Sequence, residues 1–196
     1  MKRLAQLAVV AFAVAVATVQ AQTPARVRGT ITSIDGNVMA VKSRDGRDIR
    51  LVLPDNVAVA VATNVKFEDI KPGDFVGATT TPGPGGSAVA LEVHYLAPTT
   101  AEGQVAWDLM PGSTMTNAIV GSSVVATGKR ELTLQFKGGT QRIVVPESAA
   151  LVRAVPGTRA DLVPGEYIFT VAQVATDGTM SAPRVQVSKD GVKPPQ

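Results

Sequence analysis

The sequence has no cysteine and one histidine in 196 residues, and aromatic residues make up 4% of it. Without cysteine there is no disulfide framework, thiolate zinc site, iron–sulfur cluster or cysteine nucleophile, and a single histidine excludes a multi-histidine metal centre. Excess charge is scarce too. Lysine plus arginine number 19 against 16 acidic residues, a formal charge of +3. No basic stripe with interleaved aromatics accompanies it, so no nucleic-acid partner is expected. Long hydrophobic runs are limited to residues 4–19, short of the roughly 20 apolar residues that cross a bilayer.

That run follows Met1-Lys2-Arg3 and precedes Val19-Gln20-Ala21. A positive start, an apolar middle and small residues at the end are the pattern of an export signal, with cleavage expected after Ala21. Residues 1–21 carry two basic residues and no acid, so 19 basic against 16 acidic becomes 17 against 16, a mature charge of +1. The expected address is the periplasm, with no membrane span after cleavage and little attraction to acidic partners.

The chain does have 18 Gly and 13 Pro, and these punctuate short β-rich runs. Residues 27–34 and 38–43 flank Asp35-Gly36-Asn37, and residues 49–53 follow Arg44-Asp45-Gly46-Arg47, a meander joined by hairpin-type turns. Residues 75–81 and 88–96 supply a fourth and fifth strand around Pro82-Gly83-Pro84-Gly85-Gly86. The same order recurs 92 residues later: Gly29 with Gly121, Gly36 with Gly128, Arg50 with Arg142, Pro54 with Pro146, Val93 with Val185. The repeat is clearest where Asp69-Ile70-Lys71-Pro72-Gly73-Asp74-Phe75-Val76 matches Asp161-Leu162-Val163-Pro164-Gly165-Glu166-Tyr167-Ile168. Such a motif reads as a capped single turn whose apolar residue plugs a barrel end, followed by a turn that launches a strand. The expected fold class is all-β: two tandem five-stranded barrels related by internal duplication, over residues 22–96 and 118–188. Residues 97–117 form an inter-repeat segment and 189–196 a flexible tail.

These repeated motifs resemble a family of exported bacterial small β-barrel domains of unassigned function, built like OB-folds and here in two tandem copies. The resemblance implies a five-stranded Greek-key or meander barrel and carries over no catalytic residue.

The inter-repeat segment holds the lone Trp107 and two of the five Met, where a plain linker is polar or Pro-rich. It is expected to pack between the barrels and floor a ligand groove with Trp107, Asp108, Met110, Ser113, Thr114 and Asn117. The bound partner is then a periplasmic protein or a small ligand. An alternative is copper(I) or silver(I), since soft ions favour thioether and imidazole ligands. His94, Met110 and Met115 are the candidate ligands and Trp107 a cation–π lid. That combination resembles the periplasmic copper and silver chaperone of metal-efflux systems. Here the two Met are separated by Pro111-Gly112, and His94 lies on another element. Alternation along residues 88–96 puts His94 opposite the core, as a solvated residue beside Glu92. No Gly-x-Ser-x-Gly elbow accompanies the histidine, and Asp69, Asp74 and Asp161 read as structural by their repeat symmetry. No enzyme activity, catalytic residue or organic cofactor is expected.

Overall fold

Turn residues set where the strands end. The structure is a computed structural model that describes residues 23–126 and 129–195; the expected export signal lies outside these. In chain order the strands are β1 (Thr23–Asp35), β2 (Val38–Ser43), β3 (Asp48–Val52), β4 (Ala58–Asn64), β5 (Phe75–Pro82), β6 (Ala88–Tyr95) and β7 (Gly103–Ala106). They continue as β8 (Thr114–Ala126), β9 (Lys129–Phe136), β10 (Gly139–Val144), β11 (Ala150–Pro156), β12 (Tyr167–Val174), β13 (Met180–Ser181) and β14 (Arg184–Val187). Single 3-10 turns at Phe67–Asp69 and Arg159–Asp161 stand before β5 and β12. Among the described residues no helix is long and apolar enough to cross a membrane.

The chain is all-β, with a closed five-stranded barrel plus additional strands. In the barrel β8 pairs with β9, β9 with β10, β10 in parallel with β6, β6 with β5, and β5 back with β8. Period-2 burial explains why these segments are strands: Leu132 and Leu134 on β9 are fully buried while Glu131, Thr133 and Gln135 face outward. Their inward side chains join Val76, Ala78, Val120 and Ile143, and Phe67 and Ile70 close one end. A second apolar core gathers Ile31, Met39, Leu51, Ile168 and Val185, with Leu162 beside them.

Contiguous barrels over residues 22–96 and 118–188 are not the pairing that forms. β5 and β6, from the first segment, close the barrel with β8, β9 and β10 of the second. β1 of the first segment pairs with β12 of the second from Thr23↔Val174 to Thr30↔Tyr167. The reason lies in β4 and β11, which the expectation of five strands per half leaves out. β4 runs extended for 7 residues, about 23 Å, and so carries the chain across before β5 begins. β4 and β11 pair antiparallel, with Ala62 opposite Ala154 and Val61 opposite Val155. β14 pairs in parallel with β4 (Val185↔Val59), and β6 does the same with β11 (Val93↔Leu151).

The Asp-x-x-Pro-Gly motif is structural, with one revision. Asp69 and Asp161 close their turns from the third position rather than from the cap: each Oδ2 accepts the backbone N–H three residues earlier, of Lys66 and Thr158. Gly73 and Gly165 then take φ of +92° and +95°, which their missing side chains permit. Relative to these turns, Ile31 matches Val120, since Ile31 bonds Glu166 and Gly165 as Val120 bonds Asp74 and Gly73. On the first strand the offset is therefore 89, and Gly29 matches Ala118 rather than Gly121.

The expected flexible tail is also folded back through Pro195. Lys189 and Val192 exchange backbone hydrogen bonds, Pro194 and Pro195 are buried, and the Lys193 ammonium lies 4.9 Å from the Tyr167 ring centre.

Candidate functional site

β7 and β8 form a hairpin, Ala106 opposite Thr114, whose tip is residues 107–113. Ser113 organises the tip. Its Oγ lies 2.9 and 2.8 Å from the carbonyls of Trp107 and Met110, which share its one proton, and its carbonyl accepts the Trp107 N–H. The Pro111-Gly112 pair makes the bend, Gly112 taking φ +76°.

The tip lies on arginines from the beginning of the chain. Arg26 and Arg28 flank inward-facing Val27 on β1, so both side chains leave the same outer face. Arg28 grips Asp108 with two parallel bonds, Nη1 to Oδ2 at 3.1 Å and Nη2 to Oδ1 at 2.9 Å. Its guanidinium also sits 5.0 Å from the Phe169 ring centre. Arg26 stacks over Trp107 at 4.1 Å and approaches Asp108 at 3.8 Å. From the β2–β3 turn, Arg44 donates to the carbonyls of Asp108 and Leu109 at 2.5 and 3.1 Å.

The burial is lopsided. The Arg28 side chain is 3% exposed and that of Asp108 is 48% exposed, so the cation is the desolvated partner. Partial burial pushes the Asp108 carboxyl up, but the hydrogen bonds and charge of Arg28, with Arg26 behind them, outweigh this and hold it below the usual carboxylate range. Beside the pair is a cleft of about 210 Å³ lined by Arg26, Arg28, Ser43, Arg44, Asp45, Arg47, Ile49 and Asp108. Four arginines against two carboxylates leave it with a formal surplus of +2. These arginines were missed in the sequence; the readable signal is the Arg-Val-Arg alternation at residues 26–28.

The other expected groove residues divide. Met110 is exposed at the tip. Thr114 bonds Thr80 at 3.1 Å, and Asn117 donates to the Ala101 carbonyl at 2.9 Å. With Ser113 they are structural supports of the hairpin rather than groove lining.

The metal candidates divide as well. His94 and Met115 come to one outer face of the barrel, linked through Thr79, whose Oγ1 lies 3.1 Å from Glu92 Oε1 and 3.8 Å from Met115 Sδ. Met110 stays on the exposed tip and Trp107 lies on Arg26. His94 faces away from the core as expected, but it is buried rather than solvated. Its ring lies over Gly77, where a Cβ would be 2.6 Å from His94 Nε2, and Val152 of β11 stands beside it in the sheet. Burial pushes His94 down to about 4. Its Nδ1 is 3.6 Å from Glu92 Oε1 and has no hydrogen-bond partner among the described residues. Among those residues no three His, Asp or Glu side chains gather to hold a metal ion.

The three aspartates weighed for catalysis are occupied by local bonds: Asp69 and Asp161 as above, and Asp74 with the Lys71 N–H and the Tyr95 hydroxyl. No family model, curated protein or solved structure matches the chain.

Proposed function

We propose that the chain is an exported, non-enzymatic binding or adaptor module of the periplasm, and that the arginine cradle around Trp107 and Asp108 is its recognition surface. Its architecture in this reading is a duplicated pair of OB-like five-stranded barrels that have exchanged their last two strands. The matching registers of β4 with β14 and β11 with β6 support that duplication. The observation that carries the functional reading is the 3%-exposed Arg28 held by a carboxylate on a half-exposed loop. A purely structural cation gains little from such a position, because removing it to an apolar residue avoids the desolvation cost.

Trp107 reports on the site directly. A ligand entering the cradle changes Trp107 emission with saturation, and Arg26→Gln shifts that saturation to higher ligand concentration. A ligand whose binding leaves Trp107 emission unchanged and is insensitive to Arg26→Gln places recognition elsewhere and overturns the reading. The soft-metal alternative retains only His94 and Met115 on one face, with the unpartnered His94 Nδ1 as its support. Copper(I) retained by the wild-type chain and lost in both His94→Gln and Met115→Leu would favour it.

A further inference from the structure

We infer that the cleft beside Asp108 is a site for a tetrahedral oxyanion, a phosphate or sulfate group, that competes with the Asp108 carboxylate for the arginines. This rests on the cradle being the recognition surface and names the chemistry it takes. The cleft volume equals that of about seven waters, enough for one such group.

Donor geometry supports the assignment. An arginine offers five N–H donors. Arg28 directs two to Asp108, while its buried Nε, in a side chain that lines the cleft, has no hydrogen-bond partner among the described residues. That Nε is closed to solvent, so an incoming anion meets Arg28 at the fork it now gives to Asp108, by displacing the carboxylate. Arg47 reaches the same cleft with its Nε on Asp45 at 2.8 Å and its side chain largely in water. Arg26 also lines the cleft, stacked against Trp107. Guanidinium forks match the edges of phosphate and sulfate, which accept from several directions at once. A monocarboxylate brings one charge and two oxygens, as Asp108 already does. A dianion matches the surplus of +2.

The purified chain is titrated calorimetrically with inorganic phosphate, sulfate, glycerol phosphate and acetate at constant ionic strength. Phosphate and sulfate are expected to bind one site, with acetate weaker by about tenfold, the scale of one charge-assisted hydrogen bond. Arg26→Gln and Arg47→Gln, both on the rim, each weaken phosphate by about tenfold without loss of the folded state. Asp108→Asn strengthens phosphate several-fold, and phosphate then raises its melting temperature more than it raises the wild type's. Tighter glycerol phosphate than inorganic phosphate identifies the group as part of a larger molecule; the reverse order identifies the free ion. If acetate binds as well as phosphate, the oxyanion assignment falls and the cradle remains a recognition surface. If none of the anions binds, the assignment falls too, and Trp107 emission with uncharged ligands then decides the cradle. If phosphate binds and neither rim variant changes it, both fall.

Discussion

Replacing Asp108 with asparagine removes the counter-charge of a buried arginine while keeping the side chain's size. Breaking a fully buried ion pair costs about 3–5 kcal/mol, because the remaining charge is left in low dielectric. Here the loss is smaller. Asp108 is half in water, so part of the pair's attraction is already screened. Arg28 also keeps its stack on Phe169. A loss of about 2 kcal/mol follows, and for a chain of this size that lowers Tm by about 4–8 °C. The exposed Asp45–Arg47 pair provides the contrast, since water screens it and Asp45→Asn should cost little. Arg28→Met combined with Asp108→Asn should recover most of the loss, because the buried charge is gone. Urea unfolding of the three variants beside the wild type decides the point. If Asp108→Asn costs no more than Asp45→Asn, Arg28 does not depend on Asp108 and the electrostatic account of the cradle is wrong.

Three other outcomes follow from the packing. His94 has a folded pKa of about 4, below its ordinary value near 6.5, so the unfolded chain takes up its proton first. Its contribution is complete above about pH 6.5 and is lost as pH falls towards 4, by at most about 1.4 kcal/mol per pH unit. In urea titrations at stepped pH, His94→Gln should flatten that slope; an unchanged slope refutes the burial argument. Gly77→Ala pushes a Cβ to 2.6 Å from His94 Nε2 and should cost about 1–3 kcal/mol. His94→Ala in the same chain should return part of it in the same unfolding assay. Residues 22–96 expressed alone leave β5 and β6 without β8 and β10, so their amide spectrum should be undispersed. Adding residues 97–196 should restore dispersion, whereas a folded lone fragment would contradict the strand exchange.

Local structure was legible where chemistry is local. Asp35-Gly36-Asn37, the Arg44 turn and the two Pro-Gly motifs mark strand ends because their side chains and φ preferences act within a few residues. Partnering was not legible. Alternation tells which face of a strand is buried, and that face is satisfied equally by β6 from the same half or β14 from the other. The Ala-Val alternation of Ala58-Val59-Ala60-Val61-Ala62 has no polar face to reveal a strand, so β4 escaped notice. Trp107 and Asp108 stood out by scarcity and by apolar company in a linker, yet their partners lie far earlier in the chain, and Trp107 rests on Arg26 instead of wedging between apolar surfaces. His94 was correctly turned from the core, but its burial comes from Gly77 and from β11 of the other half, neighbours that strand periodicity does not describe.

The central claim is that recognition takes place at Arg26, Arg28, Arg44 and Trp107. Side-chain NMR of the ¹⁵N-labelled chain tests it most directly, because each arginine Nε–H and the Trp107 indole N–H gives its own signal. Added phosphate should move the Arg28 and Arg26 Nε–H signals and the Trp107 indole along one saturating curve. If these stay fixed while signals around His94 or the barrel end shift, the recognition surface lies elsewhere and the account is contradicted.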